Sequence, residues 1–123
     1  MEPKPSQRDT NCPFCTIAPA KVWLQNDGAI AFPDAHPAAP GHTLVVPRRH
    51  VLSVFDLPEA EREAVWRLVA ATRERLRAER QPDGFTVGVN DGPAAGQTVP
   101  HGHVHVIPRR RDEWRTRGVE AAR

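Results

Sequence analysis

The chain has 123 residues, 39% of them apolar and 26% charged, with a net charge of +2. This is the composition of one folded globular domain with a single modest core. No apolar run approaches membrane-spanning length, and the opening MEPKPSQRDTN lacks the apolar centre of a signal peptide or anchor, so the expected location is cytoplasmic. In that compartment Cys12 and Cys15 are expected as thiols or metal ligands rather than a disulfide.

In chain order, residues 1–11 are polar and proline-rich and are read as a flexible tail. KVWLQ (21–25) and AIAF (29–32) flank an Asn-Asp-Gly turn, a hairpin pattern. PDAHPAAPG (33–41) is a loop, and HTLVVP (42–47) is a strand with a continuous apolar centre, expected to be buried. One long helix follows, with Asp56 as its expected cap, Pro58 in the first turn and Glu59 at a capping-box spacing. Val65, Leu68, Val69, Thr72 and Leu76 form its apolar stripe, and QPDG (81–84) ends it. FTVGVN (85–90) alternates as a strand, DGPAAGQTVP (91–100) is a glycine-rich loop, and HGHVHVIP (101–108) is the last strand. Residues 12–110 form the domain, and 111–123 an arginine-rich tail. Residues 109–123 hold Arg109, Arg110, Arg111, Arg115, Arg117 and Arg123 against Asp112, Glu113 and Glu120. No aromatic residues are interleaved in a binding pattern, so a solvated tail is favoured over a nucleic-acid contact. Strands, one helix, then strands again predict an α+β domain with a mainly antiparallel sheet.

Three of the six histidines alternate in this last segment, at 101, 103 and 105. On a strand they share one face, opposite Gly102, Val104 and Val106, with the outer two roughly 13 Å apart. Neighbours in such a row can meet on one metal, whereas three on a single ion is harder. The row therefore divides more naturally into a metal end and an end that handles an anion. Neutral imidazole is a nucleophile toward phosphorus, and its conjugate acid is a phosphate donor. Gly92 and Gly96 allow backbone amides to approach an anion, and Gln97 and Thr98 add polar groups. A solvated polar face is the competing reading. His36 carries no functional reading.

GQTVPHGHVHVIPR resembles the signature of the histidine triad (HIT) superfamily, and CPFC (12–15), AIAFPDAHPAAPGHTLVVPRRH (29–50) and VNDGPAAGQTVPHGHVHVIPR (89–109) follow the family's order. The resemblance implies a five-stranded antiparallel sheet with one long and one short helix, paired as a homodimer. It implies cleavage or transfer at the α-phosphate of a purine nucleotide conjugate, a phosphoramidate or dinucleoside polyphosphate, through a nucleotidyl-histidine. By position, His103 is the implied nucleophile, with a carbonyl near His101 fixing its tautomer. His105 would bind the phosphate and assist the leaving group, and His42 is the upstream fourth histidine. Asn90, Gly96, Gln97 and Thr98 would contact phosphate or leaving group, and Asp34 the ribose. The bacterial members with Cys-x-x-Cys imply a structural zinc on Cys12, Cys15, His50 and His101, and no organic cofactor.

Two features depart from the pattern. Gly102 replaces an apolar residue, which marks a close approach of another backbone. Asn90 is shared with the Hint-like branch, whereas DGPAAGQTV and PRR look Fhit-like. Two other classes compete: a zinc hydrolase with His101 and His103 as ligands, and a non-enzymatic, zinc-stapled nucleotide-binding domain.

Overall fold

The computed structural model describes residues 9–112. Its elements are β1 (Leu24–Gln25), β2 (Ala29–Pro33), β3 (Thr43–Pro47), α1 (Glu59–Arg80), β4 (Gly84–Gly88) and β5 (Val104–Arg109), with single 3-10 turns at Pro19–Lys21, Val54–Asp56 and Pro93–Ala95. All strand pairs are antiparallel, in the order β1-β2-β3-β5-β4. The last strand thus inserts between β3 and β4, and all six of its residues are buried. The histidine segment enters the middle of the molecule for this topological reason.

The apolar stripe of α1 lies where its spacing places it. Val65, Leu68, Val69, Thr72 and Leu76 are buried, together with Ala64. Val65, Leu68, Val69 and Leu76 pack with Ala29, Ala31, Val45, Val104 and Val106, the helix-facing side of the sheet. Strand residues alternate faces, so Leu44, Val46 and Phe32 gather on the other side with Phe14, Ile17 and Ile30. Leu44 pairs directly with His105, which places that imidazole on the second face. The hairpin turn is locked to the helix. Asn26 Oδ1 accepts the Gly28 and Ala29 amides at 2.9 and 2.8 Å, and Asn26 Nδ2 donates to Ala64 O at 2.9 Å. A Cβ on Gly28 would stand 2.7 Å from that of Ala64, so only glycine allows this approach.

Several boundaries differ from the sequence reading. Of KVWLQ only Leu24–Gln25 is strand, since Pro19–Lys21 coils into a 3-10 turn. The fourth strand is Gly84–Gly88 and leaves Asn90 in the loop. The last strand begins at Val104, so His101 and His103 precede it. Asp56 does not cap the helix: α1 starts at Glu59, and Pro58 is its N-cap without a side-chain cap bond. Proline keeps the preceding Leu57 extended, at φ −71° and ψ 151°, which separates Asp56 from the first helical turn. Ser53 caps the short turn instead, accepting the Phe55 amide at 3.1 Å. The helix does end at Gln81, left-handed at φ 49°, where Arg110 donates to the Arg80 and Gln81 carbonyls. Arg115, Arg117 and Arg123 lie outside the described residues. No described helix is long and apolar enough to cross a membrane.

Candidate active site and metal centre

The three histidines are not a solvated face. His101, His103 and His105 are 0%, 6% and 4% exposed. Each has a different set of partners, and the partners fix which nitrogen is free.

His101 Nε2 donates to Pro47 O at 2.9 Å, which leaves Nδ1 unprotonated toward Cys12 Sγ at 3.4 Å and Cys15 Sγ at 3.6 Å. His50 Nδ1 stands 3.3 Å from Cys15 Sγ. Tetrahedral sulfur and nitrogen ligands on a zinc-sized ion lie about 3.5 Å apart, given bonds of about 2.3 and 2.0 Å. The four donor atoms all fall within 4.8 Å of one another, so this set fits a closed four-coordinate metal site. Burial pushes the Cys15 thiol above its usual range and His101 down to about 4. A neutral His101 is ready to ligate, and the thiol would lose its proton on binding. The grouping separates His101 from His103, so a catalytic metal held by that pair does not fit the arrangement.

His103 Nδ1 donates to the carbonyl of His101 at 2.8 Å. The proton is therefore on Nδ1, and Nε2 keeps its lone pair. The carbonyl implied by the family pattern is that of His101 itself.

His105 and His42 form a directional chain. The Ala38 amide donates to His42 Nδ1 at 2.9 Å. An N–H can only donate, so the His42 proton sits on Nε2, from which it reaches His105 Nδ1 at 2.9 Å. The His105 proton is then on Nε2, which has no partner among the described residues. Asp34 Oδ2 lies 3.4 Å from His42 Nε2. Burial holds both rings neutral. It lowers His105 to about 4, with His103 and His42 adding to the shift. It lowers His42 against the opposing pull of Asp34. The Asp34, His42 and His105 atoms also lie within 4.8 Å of one another. They do not make a second metal site, because the Ala38 amide forbids the His42 tautomer that would offer Nε2 to an ion.

These groups line an open cleft of about 870 Å³. Asp34, His42, His103, His105, Gly96 and Thr98 give it a polar side, and Phe32 and Leu44 belong to its apolar side. Gly96 is left-handed, at φ 97°. Asn90 and Gln97 are not among the lining residues. Asn90 Nδ2 donates to Ala95 O at 2.8 Å, Gln97 Oε1 accepts the Gly92 amide at 2.8 Å, and Gln97 Nε2 donates to Leu52 O and Val99 O at 3.0 and 2.9 Å. Both amides brace the loop that presents Gly96 and Thr98.

Sequence reasoning missed Phe14. It sits between the two cysteines, lines the cleft, and packs edge-on against the His103 ring at 5.2 Å and 85°. Its position inside Cys-Pro-Phe-Cys was the available signal: a residue between two cysteines of one turn goes wherever that turn goes. The close approach expected at Gly102 is present. A Cβ there would lie 2.7 Å from Val54 N and 3.1 Å from Ser53 C.

The HIT domain family model matches residues 16–112. An uncharacterised 16.1 kDa HIT-like protein of Mycoplasma pneumoniae is 38% identical over 113 residues, covering 89% of this chain and 78% of that protein. The bifunctional bis(5'-adenosyl)-triphosphatase/adenylylsulfatase FHIT of Arabidopsis thaliana is 35% identical over 94 residues, 76% of this chain and 52% of that one. The crystal structure of a Zn-bound histidine triad family protein from Mycobacterium smegmatis superposes with a TM-score of 0.68 at 35% identity, over 83% of this chain and 77% of that chain. With its family model spanning nearly all of the described residues, the chain belongs to the HIT family.

Proposed function

We propose that the protein is a nucleotide hydrolase or nucleotidyl transferase that cleaves at the α-phosphate of a purine nucleotide conjugate through a nucleotidyl-His103 intermediate. The observation that carries this reading is the pair of oppositely poised nitrogens in the cleft. His103 has its lone pair on Nε2 because Nδ1 is tied to the His101 carbonyl, and His105 presents an N–H. His103 Nε2 forms a bond to phosphorus as the bond to the leaving amine, phosphate or nucleotide breaks. His105 Nε2–H donates to a phosphate oxygen or to the leaving-group oxygen or nitrogen, which takes a proton as it departs, and His42 keeps that donor oriented. Water then attacks phosphorus and gives up one proton to solvent, the N–P bond breaks, and its electron pair returns to Nε2. Catalysis by positioning and charge stabilisation suits such a transfer. Asp34 offers a carboxylate to ribose hydroxyls, while Gly96 and Thr98 meet the phosphate. Asn90 and Gln97 act on that phosphate through the loop they hold.

The FHIT relative supports a phosphoanhydride substrate, and Asn90 supports a phosphoramidate. Incubation with an adenosine phosphoramidate, a diadenosine polyphosphate and adenosine phosphosulfate, followed by intact-mass measurement, separates them. The expected adduct is one nucleotidyl group on His103, absent in His103→Ala. Turnover of an active substrate by that variant sinks the assignment.

The metal of the Cys12, Cys15, His50 and His101 set is zinc with a structural role. Metal analysis after purification without added metal is expected to give close to one equivalent, and less than about a tenth with intact folding refutes it. The protein acts in the cytoplasm as a homodimer. β4 supports the pairing: among the described residues it is an edge strand bonded to β5 alone, with Val87 44% exposed. Light scattering of the purified chain at twice the monomer mass is the expected result.

A further inference from the structure

The metal centre and the cleft share parts. Phe14 lies in the turn between Cys12 and Cys15, and its ring meets both His103, at 5.2 Å, and Phe32, at 5.5 Å, on the cleft wall. His101 offers its ring nitrogen to the cysteines while its carbonyl holds His103 Nδ1 at 2.8 Å. His50 begins the segment whose Val51 carbonyl accepts the Gly102 amide at 2.7 Å and whose Leu52 carbonyl accepts Gln97 Nε2 at 3.0 Å. Three separate routes thus run from the four metal donors into the nucleophile and the anion loop.

We infer that the metal centre is a positioning device for the cleft: closing the Cys12–Cys15 turn on a metal seats Phe14 against His103 and so sets both the nucleophile and the wall that a nucleotide meets. Phe14 is the positioning residue of this link. Coupling between two sites is reciprocal, so a nucleotide in the cleft must also be felt at the metal. The nucleotide part rests on the function proposed above; the Phe14–His103 part does not.

The test uses the full chain loaded with zinc, the same protein stripped by a chelator and checked for folding by circular dichroism, and zinc-loaded Phe14→Ala, which keeps all four ligands. Adenosine monophosphate is titrated into each, and the His103 ring signals are followed by NMR. Both altered proteins are expected to bind the nucleotide about tenfold more weakly, within the usual coupling range of about 5–150-fold, with the His103 signals displaced. Affinity within twofold and unmoved His103 signals in the stripped, folded protein overturn the inference. If stripping unfolds the chain, cadmium-113 replaces zinc. Saturating nucleotide is then expected to move the cadmium resonance in the wild type and much less in Phe14→Ala, and a resonance that stays put overturns it. A loaded wild type that binds no nucleotide counts against the proposed function alone. The His103 signals of the loaded and the stripped, folded wild type, which both keep Phe14, then decide: displaced, they support the link, and coincident, they end it.

Discussion

At Gly102 the protein has no room for even one methyl group. The nearest atom a Cβ would meet is backbone, Val54 N at 2.7 Å, followed by Ser53 C and Val54 Cγ1 at 3.1 Å, so a rotamer change of Val54 alone cannot relieve the contact. Gly102→Ala is expected to cost about 1–3 kcal/mol, the range for overpacking, read as a lower urea midpoint at unchanged slope. An unchanged midpoint would mean that the 51–54 segment is free to move. The glycine itself was visible in the sequence, as was the need for a close neighbour, but not which segment approaches. The same limit applies to the histidines. Their number and spacing were legible, and so was the expectation that the row divides; the structure gives each ring a separate set of partners. What settles each tautomer is main chain: Pro47 O for His101, His101 O for His103, and the Ala38 amide for His42. Carbonyls are carried by every residue type and amide N–H groups by all but proline, so they leave almost no trace in composition.

Among the elements, α1 was the most legible, because a 3.6-residue stripe over 22 residues has few other solutions. Its start was misread because a proline two residues after a plausible cap overrides that cap. The Gly92–Gly96 loop is held by side chains from outside its own span, chiefly the three bonds of the Gln97 amide. Gln97→Ala is expected to speed amide exchange across residues 92–97 at least tenfold, about 1.4 kcal/mol of local opening, and to shift global stability by less than about 1 kcal/mol. A loop that exchanges no faster would show that glycine geometry alone holds it. Arg49 joins the segment before His50 to the helix by a two-pronged pair, with Nε and Nη2 at 2.8 and 2.7 Å from the Glu61 carboxylate. That hydrogen-bonded pairing holds Glu61 below its usual range. Glu61→Gln is expected to cost about 1 kcal/mol in the same urea experiment, since the pair is only partly exposed and bidentate. No measurable change would place the pair with ordinary surface ion pairs.

For the whole molecule, buried neutral imidazoles make stability depend on pH in one direction. His105 is held near 4 against an ordinary 6.5. Its contribution is complete above pH 6.5 and is lost as the unfolded chain gains a proton that the folded ring refuses. The loss between pH 6.5 and 4 is about 3 kcal/mol from this group, with His42 shifted the same way. Thermal midpoints are expected to fall steadily over that window and to be flat from 6.5 to 8. His105→Asn is expected to reduce the slope without abolishing it, since His42 and His101 are lowered as well, and an equal slope in that variant would assign the effect elsewhere. The relay from Ala38 through His42 to His105 has a further consequence. An amide at its inner end makes every link a donor toward the cleft, and the direction cannot reverse while the Ala38 amide stays bonded. At His105 the cleft therefore offers a donor, while Asp34 and His103 Nε2 supply its acceptors. A phosphate or carboxylate oxygen finds a waiting proton, whereas an ammonium or amide N–H arriving at His105 meets another hydrogen and is turned away.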